Sequence, residues 1–303
     1  MRPVVIAHRG ASGYLPEHTL PAKALAHAMG ADYLEQDVVA TRDDELVVLH
    51  DIHLDRVTDV ATRFPGRERG DGRYYVRDFD MTEIRRLRVH ERRDEQGNPV
   101  YPKRFASADE PFHVHTLAEE IRFIQRLNET TGRSAGIYPE IKAPSWHREE
   151  GVDIAPMLLE VLGAGGYEKH SDPVYVQCFD EAEVRRMREV LGCQLKLIVL
   201  LDDELPENFD AIAGFADGIG PWVETLYRQD DAGSLVDRRV VSTAHDAGLA
   251  VHPYTFRSDD LPPGFATLAE LVDFCVSELR IDGLFTDFPD HVYRLINHAR
   301  KVS

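Results

Sequence analysis

A chain of 303 residues, 43% hydrophobic and 29% charged, is long enough for one large domain with a sizeable core and has the balance of an ordinary folded globular protein. Its 35 basic residues against 53 acidic ones give a formal net charge of -18, which repels nucleic-acid phosphates and argues against a DNA or RNA partner. Three cysteines (Cys178, Cys193 and Cys275) with no CxxC spacing argue against a disulfide framework or a thiolate zinc site, and no run approaches the roughly 20 apolar residues of a membrane span, so no stable membrane insertion is expected.

The first apolar run, Val4-Val5-Ile6-Ala7, reads as a strand. A helix is expected from about Thr19 to Met29, stopped by Gly30. The next strand runs from Tyr33 to Val39. Leu46-Val47-Val48-Leu49 follows it after only the stretch from Thr41 to Glu45. Parallel neighbours need a crossover of about a dozen residues, so this run must return antiparallel, as a hairpin. That return lands His50 and Asp51 near Asp37. Residues 52–115, rich in Arg, Asp, Gly and Pro, break the pattern and read as an inserted lobe, a lid or a substrate-selecting element ordered in part by Tyr74, Tyr75, Phe79 and Leu87. A loosely packed surface loop is the alternative.

Beyond the insertion, helical patterns from Thr116 to Thr130, Asp180 to Leu191 and Leu268 to Leu279 alternate with short apolar runs. These runs start at Gly136, Val174, Leu195, Gly218, Leu249 and Gly283. Eight parallel strands and one hairpin fit an α/β fold, a TIM (β/α)8 barrel with a lobe inserted after the hairpin that follows strand 2, the whole of 1–303 forming a single domain.

Barrels of this kind carry their active sites at the carboxyl ends of the strands. Those ends supply His8 and Arg9, then Glu35 and Asp37 with His50 on the return, then Glu140 and Lys142, Gln177 and His252. Glu35 and Asp37 alternate on one strand, so both carboxylates share a face. An isolated pair of this kind is commonly a solvated strand edge. With Glu140 from the adjoining strand, three oxygen ligands converge, a set that suits Mg²⁺ or Ca²⁺ better than zinc. Two histidines beside such a site can take and give a proton near neutral pH, as cleavage of a phosphodiester requires. Arg9 can hold a phosphate, and Gly10 lets the backbone turn closely beside it. Lys142 stands as a charge stabiliser or as a counter-ion of the carboxylates. Gln177 is a candidate substrate donor. Trp222 and Phe288 are candidates for an apolar wall, or simply pack the barrel mouth.

The string His8-Arg9-Gly10-Ala11-Ser12-Gly13-Tyr14-Leu15-Pro16-Glu17-His18-Thr19-Leu20 resembles the opening signature of the glycerophosphodiester phosphodiesterases. So do Glu35-Gln36-Asp37, Val47 to Asp51, Tyr138 to Lys142 and Asp282 to Pro289. The insertion, with Gly72 to Tyr75 and His252 to Thr255, resembles the bacterial periplasmic-type branch. The resemblance implies a TIM barrel with an inserted lobe. It also implies His8 and His50 as the general acid/base pair, Glu35, Asp37 and Glu140 as ligands of one divalent cation (Ca²⁺ or Mg²⁺), Arg9 on the phosphate and Lys142 as a further cation. The implied reaction hydrolyses a small-molecule glycerophosphodiester to sn-glycerol 3-phosphate and an alcohol. His18 stands where many members carry Asn, which raises the question of whether it reaches the metal's water shell.

Two other functions fit parts of this pattern. A phosphoinositide- or sphingomyelin-cleaving barrel would keep the paired histidines and change the substrate, and a non-catalytic binding module would require a missing catalytic group. A monomer or homodimer is expected. As the chain is written no signal segment precedes the first strand, which reads as cytoplasmic, or as periplasmic if a leader has been removed.

Overall fold

The first and last strands of the chain are neighbours. In the computed structural model, which describes residues 2–105 and 110–302 (298–302 as backbone only), β1 (Val4–Ala7) pairs in parallel with the final strand from Val4↔Gly283 to Ala7↔Thr286. Between them lie β2 (Tyr33–Ala40), β3 (Leu46–Val48), β4 (Gly136–Ile141), β5 (Tyr175–Cys178), β6 (Lys196–Leu201), β7 (Gly218–Pro221), β8 (Tyr227–Gln229), β9 (Leu235–Asp237) and β10 (Ala250–Val251), before β11 (Gly283–Thr286). The parallel order is β10-β7-β6-β5-β4-β2-β1-β11. Backbone bonds from Asp282 N to Val251 O (3.0 Å), Phe285 N to Pro253 O (3.0 Å) and Phe256 N to Phe285 O (2.8 Å) join the two ends of that order. The result is a TIM barrel of eight parallel strands, with β3 folded back antiparallel on β2 through Val38↔Val48, Val39↔Val47 and Ala40↔Leu46.

Each barrel strand is covered on both faces, which is why these runs are almost continuously apolar. Ile6, Tyr138, Ile198 and Phe285 fill the interior, while the outer faces pack against the helices in the main core. The helices begin where the sequence supplies caps. Thr19 caps Leu20–Ala28, and Thr116 forms a capping box with Glu119 at the head of Leu117–Thr131. Gly132, at φ 70°, ends that second helix in the left-handed conformation that glycine adopts without steric cost.

Three elements differ from expectation. The run from Leu249 to Tyr254 narrows to Ala250–Val251, because Pro253 has no N–H to give the ladder. The helix expected from Leu268 to Leu279 is α-helical over Leu268–Asp273 and opens into a π-turn over Phe274–Glu278. The short hairpin of β8 and β9 was not anticipated, since only three residues pair on each side.

The segment 52–115 builds its own apolar cluster, apart from 106–109, which lie outside the described residues. Leu54, Val57, Val76, Phe79, Ile84 and Leu87 close over Val39, Val47 and Leu49 at the hairpin. Tyr74 is buried there with them, and Tyr75 instead stacks on Trp146 of the barrel, 5.6 Å between ring centres. The three cysteines are free and buried. Among the described residues no helix is long and apolar enough to cross a membrane.

Candidate active site

Period-two alternation along β2 sends Glu35 and Asp37 into the barrel mouth and Gln36 outward, where its amide donates to Glu120 at 2.8 Å. Asp37 stands beside Glu140 in register across β2 and β4, and Gln177 beside Glu140 across β4 and β5. Adjacent strands therefore carry Glu35, Asp37, Glu140 and Gln177 to one place. Burial, together with Asp37 nearby, pushes the Glu35 carboxyl well above the ordinary range. Burial also pushes Glu140 up to about 8, although Lys142 Nζ sits 2.7 Å from its Oε1. Burial opposes ionisation of Asp37 too, but Lys142, His50 and His18 hold it well below the usual value.

Among the described residues Asp37 Oδ1, which is buried, has no hydrogen-bond partner. Hard oxygen donors that repel one another, one of them orphaned, fit a divalent cation. Among the described residues one cluster has ligand atoms within 4.8 Å of one another: His18, Glu35 and Asp37. His18 Nε2 lies 2.7 Å from Asp37 Oδ2, so this histidine reaches the carboxylates themselves. Behind them Lys23, fully buried, donates to the Glu35 carbonyl and pairs with Glu120 at 3.1 Å.

The turn after β1 is tight. Arg9 and Gly10 both have positive φ (58° and 88°), and a Cβ on Gly10 would lie 2.9 Å from the Ala22 carbonyl carbon. Glycine is required there for both reasons. The turn lets the Arg9 N–H donate to Glu35 Oε2 at 2.5 Å while its guanidinium Nη1 pairs with Glu17 at 3.0 Å. Arg9 Nε is buried and unpartnered, 3.6 Å from Asp37.

Each of the two histidines has a carboxylate behind it. His8 Nδ1 lies 2.6 Å from Asp287 Oδ1, and His50 Nδ1 lies 2.6 Å from Asp51 Oδ1. An ionised carboxylate fixes the proton on Nδ1 and leaves Nε2 for proton transfer. Burial and Arg9 push His8 down to about 4 while Asp287 pulls it up, and burial, Arg9 and Lys142 push His50 down to about 3. Lys142 Nζ is 3.3 Å from His50 Nε2.

Two small chambers open on either side of His8, Arg9 and His50. One, of about 180 Å³, takes in Glu35, Glu140, Lys142 and Gln177, and has a wall of Phe179, Leu200, Trp222 and Tyr254. The other, of about 160 Å³, is lined by Arg9, Glu17, Arg257 and Asp287 of the barrel together with Glu91, Arg92 and Arg104 of the 52–115 segment. Thus His8, Arg9, Glu35, Asp37, His50, Glu140, Lys142 and Gln177 come together, with the Oε1 of Gln177 buried and without a partner among the described residues. Phe288 does not join them. It packs against Tyr14 and His291 and over Gly13, outside the lining of either chamber. His252 lies inside the barrel, 2.9 Å from the Tyr138 hydroxyl.

The sequence reading assigned no role to Asp51 or Asp287, nor to the arginines that fix them. Arg92 bridges Asp51 (2.7 Å) and Glu17 (2.6 Å), while Arg104 and Arg257 both bind Asp287 Oδ2 at 2.8 Å. Position was the available signal, since Asp51 follows His50 directly and Asp287 directly follows the strand paired with β1. Arg92 and Arg104 stand in irregular chain with no periodicity to mark them.

Residues 8–291 match the Glycerophosphoryl diester phosphodiesterase family. The chain is 42% identical to the glycerophosphodiester phosphodiesterase of Haemophilus influenzae, over 95% of this chain and 88% of that protein. It is 37% identical to the glycerophosphodiester phosphodiesterase of Treponema pallidum, over 95% and 90% of the two chains. In fold it resembles an Oleispira antarctica phosphodiesterase solved with the product sn-glycerol-3-phosphate, with a TM-score of 0.70 at 20% identity, covering 97% of each chain. It also resembles the glycerophosphodiester phosphodiesterase of Agrobacterium tumefaciens, with a TM-score of 0.65 at 20% identity over 96% and 99%. With the family model spanning nearly its whole length, the chain belongs to the glycerophosphoryl diester phosphodiesterase family.

Proposed function

We propose that this chain hydrolyses glycerophosphodiesters to sn-glycerol 3-phosphate and an alcohol, in a metal-dependent reaction with His8 and His50 as the acid/base pair. The observation that carries the reading is the pair of carboxylate-backed imidazoles on either side of Arg9, at the shared edge of two chambers. A diester has two arms and one phosphate. The phosphate belongs at Arg9, between the histidines, with one arm in each chamber.

Glu35 and Asp37, with Glu140 in register beside Asp37, would hold one divalent cation, Ca²⁺ or Mg²⁺, and His18, which clusters with Glu35 and Asp37, stands close enough to join them. Such an ion supplies positive charge toward the phosphate oxygens and steadies the negative charge that develops there. The remaining work falls to the protein. One ring, neutral with its proton on Nδ1, takes a proton from the attacking water at Nε2; the other enters the step as imidazolium and gives its Nε2 proton to the leaving alkoxide. Asp287 and Asp51 hold the Nδ1–H of each ring and so fix its orientation for that exchange. Arg9 and Lys142 counter the phosphate charge, which also explains how a chain of net charge -18 admits an anion. Gln177, free at Oε1, can accept from a glycerol hydroxyl whose carbon face rests on the Trp222 wall.

The test is release of glycerol 3-phosphate from glycerophosphocholine, with and without excess EDTA. Metal-dependent release is expected. Undiminished turnover in chelator would remove the cation from the mechanism, and preference for micellar lipid over the soluble diester would replace the substrate class.

A further inference from the structure

The charged chamber holds a carboxylate with no ion-pair partner among the described residues. Four arginines, Arg9, Arg92, Arg104 and Arg257, line it. Each is paired, with Glu17, Asp51, Asp259 and Asp287, and Arg9 also with Asp37 at 3.6 Å. The arginine charges are thus already matched by carboxylates. Glu91 lines the same chamber, is 8% exposed, and makes no ion pair among the described residues. Its Oε2 is buried with no hydrogen-bond partner among the described residues. Burial, with Glu17 close by, pushes the carboxyl up to about 8 against the pull of Arg104.

An unsatisfied buried carboxylate is costly to keep unless something binds there. The chamber, at about 160 Å³, exceeds what one solvent molecule needs, roughly 10–15 Å³. It adjoins both histidines, on the side away from the carboxylates of β2 and β4. The arm of the diester that enters it is therefore the one that leaves as alcohol, since the first chamber carries the polar and apolar surfaces suited to glycerol. We propose that Glu91 recognises a positively charged group on the leaving alcohol, so that the chamber selects glycerophosphodiesters of small ammonium-bearing alcohols over those of neutral ones. This rests on the function proposed above and specifies its leaving group. Glu91, Arg92 and Arg104 all come from the 52–115 segment, which makes that insertion the element of specificity.

The experiment compares kcat/KM for wild type and Glu91→Gln on glycerophosphocholine, glycerophosphoethanolamine and glycerophosphoglycerol. The ratio of cationic to neutral diester is expected to fall by about 10- to 100-fold in the variant, the weight of losing a close opposite charge at a partly buried site. An equal loss on all three substrates, or no loss, overturns the inference and leaves the proposed function standing. No turnover of any diester by metal-loaded wild type overturns the function itself, and this inference with it. Should the variant fail to fold, inhibition of wild type decides. Choline must inhibit at least about 10-fold more tightly than its uncharged isostere 3,3-dimethylbutan-1-ol, and equal inhibition by the two overturns the assignment.

Discussion

His8 and Asp287 stand 279 residues apart in the chain, and their side chains meet at 2.6 Å. Closure of the barrel makes the contact, because β1 and β11 pair in register and Asp287 directly follows the last paired residue, Thr286. Asp287 is held in turn by Arg104 and Arg257. Asp287→Asn keeps the shape but can present its amide N–H to His8 and turn the ring to the wrong tautomer. A loss in kcat of about 10²-fold or more is expected with little change in KM. Steady-state kinetics on glycerophosphocholine checks it, and a rise in KM alone would make Asp287 a substrate-binding residue.

His8→Ala and His50→Ala are each expected to lose about 10²–10⁴-fold in kcat, the weight usually attached to general acid–base catalysis. Because the two act in one reaction, the double variant should lose far less than the product of the single losses. A near-normal rate for either single variant would take that histidine out of the mechanism.

How much of this was legible in the sequence depended on what each residue's placement required. Glu35 and Asp37 needed only the period of a strand. His50 needed only the shortness of the turn after β2, which forces the hairpin. Asp51 and Asp287 stood within the matching strings, but their contacts follow from barrel closure and side-chain direction. Phe288 shows the same limit, for it follows a strand end as an apolar wall would, yet Gly13 has no side chain and the ring packs into that space. Arg92 and Arg104 could be placed only once the irregular 52–115 segment was seen to fold around its own apolar cluster.

Lys23 is fully buried and shares Glu120 with Gln36 and His115, at 3.1, 2.8 and 2.6 Å. Lys23→Met leaves the buried Glu120 charge with only His115 and Gln36 to answer it. Removing one partner of a buried ion pair costs about 3–5 kcal/mol, and a loss of that size is expected from urea unfolding at pH 7. A change below about 1 kcal/mol would mean that solvent reaches Glu120.

The same group sets a dependence on acid. Burial alone would raise Glu120, but Lys23 and His115 outweigh it and hold the carboxyl down at about 2 from an ordinary 4.5. A depressed carboxyl stabilises the fold fully above its unfolded value and loses that contribution as pH falls through the folded one. About 3 kcal/mol should therefore disappear between pH 4.5 and 2. Glu120→Gln should flatten that part of the unfolding profile, and a variant profile parallel to wild type would place the acid sensitivity elsewhere.

A bound cation would relieve the carboxylates at the barrel mouth, so its effect should be visible without turnover. Glu35 and Glu140 are both pushed up by burial, and Asp37 keeps an oxygen with no partner. An ion that binds only the folded state stabilises it by RT ln(1 + [L]/Kd), about 2.7 kcal/mol at one hundred times Kd. For a chain of this size that means a rise of several degrees in Tm, measured on chelator-treated protein with Ca²⁺ or Mg²⁺ added back. Glu35→Gln and Asp37→Asn should each abolish most of the rise, Asp37→Asn more completely because it also frees His18 from its partner. The ion giving the larger shift at equal concentration binds more tightly. If neither ion moves the melting curve, or if both variants still respond as wild type does, these carboxylates do not hold the metal, and Lys142 would be the cation that keeps them together.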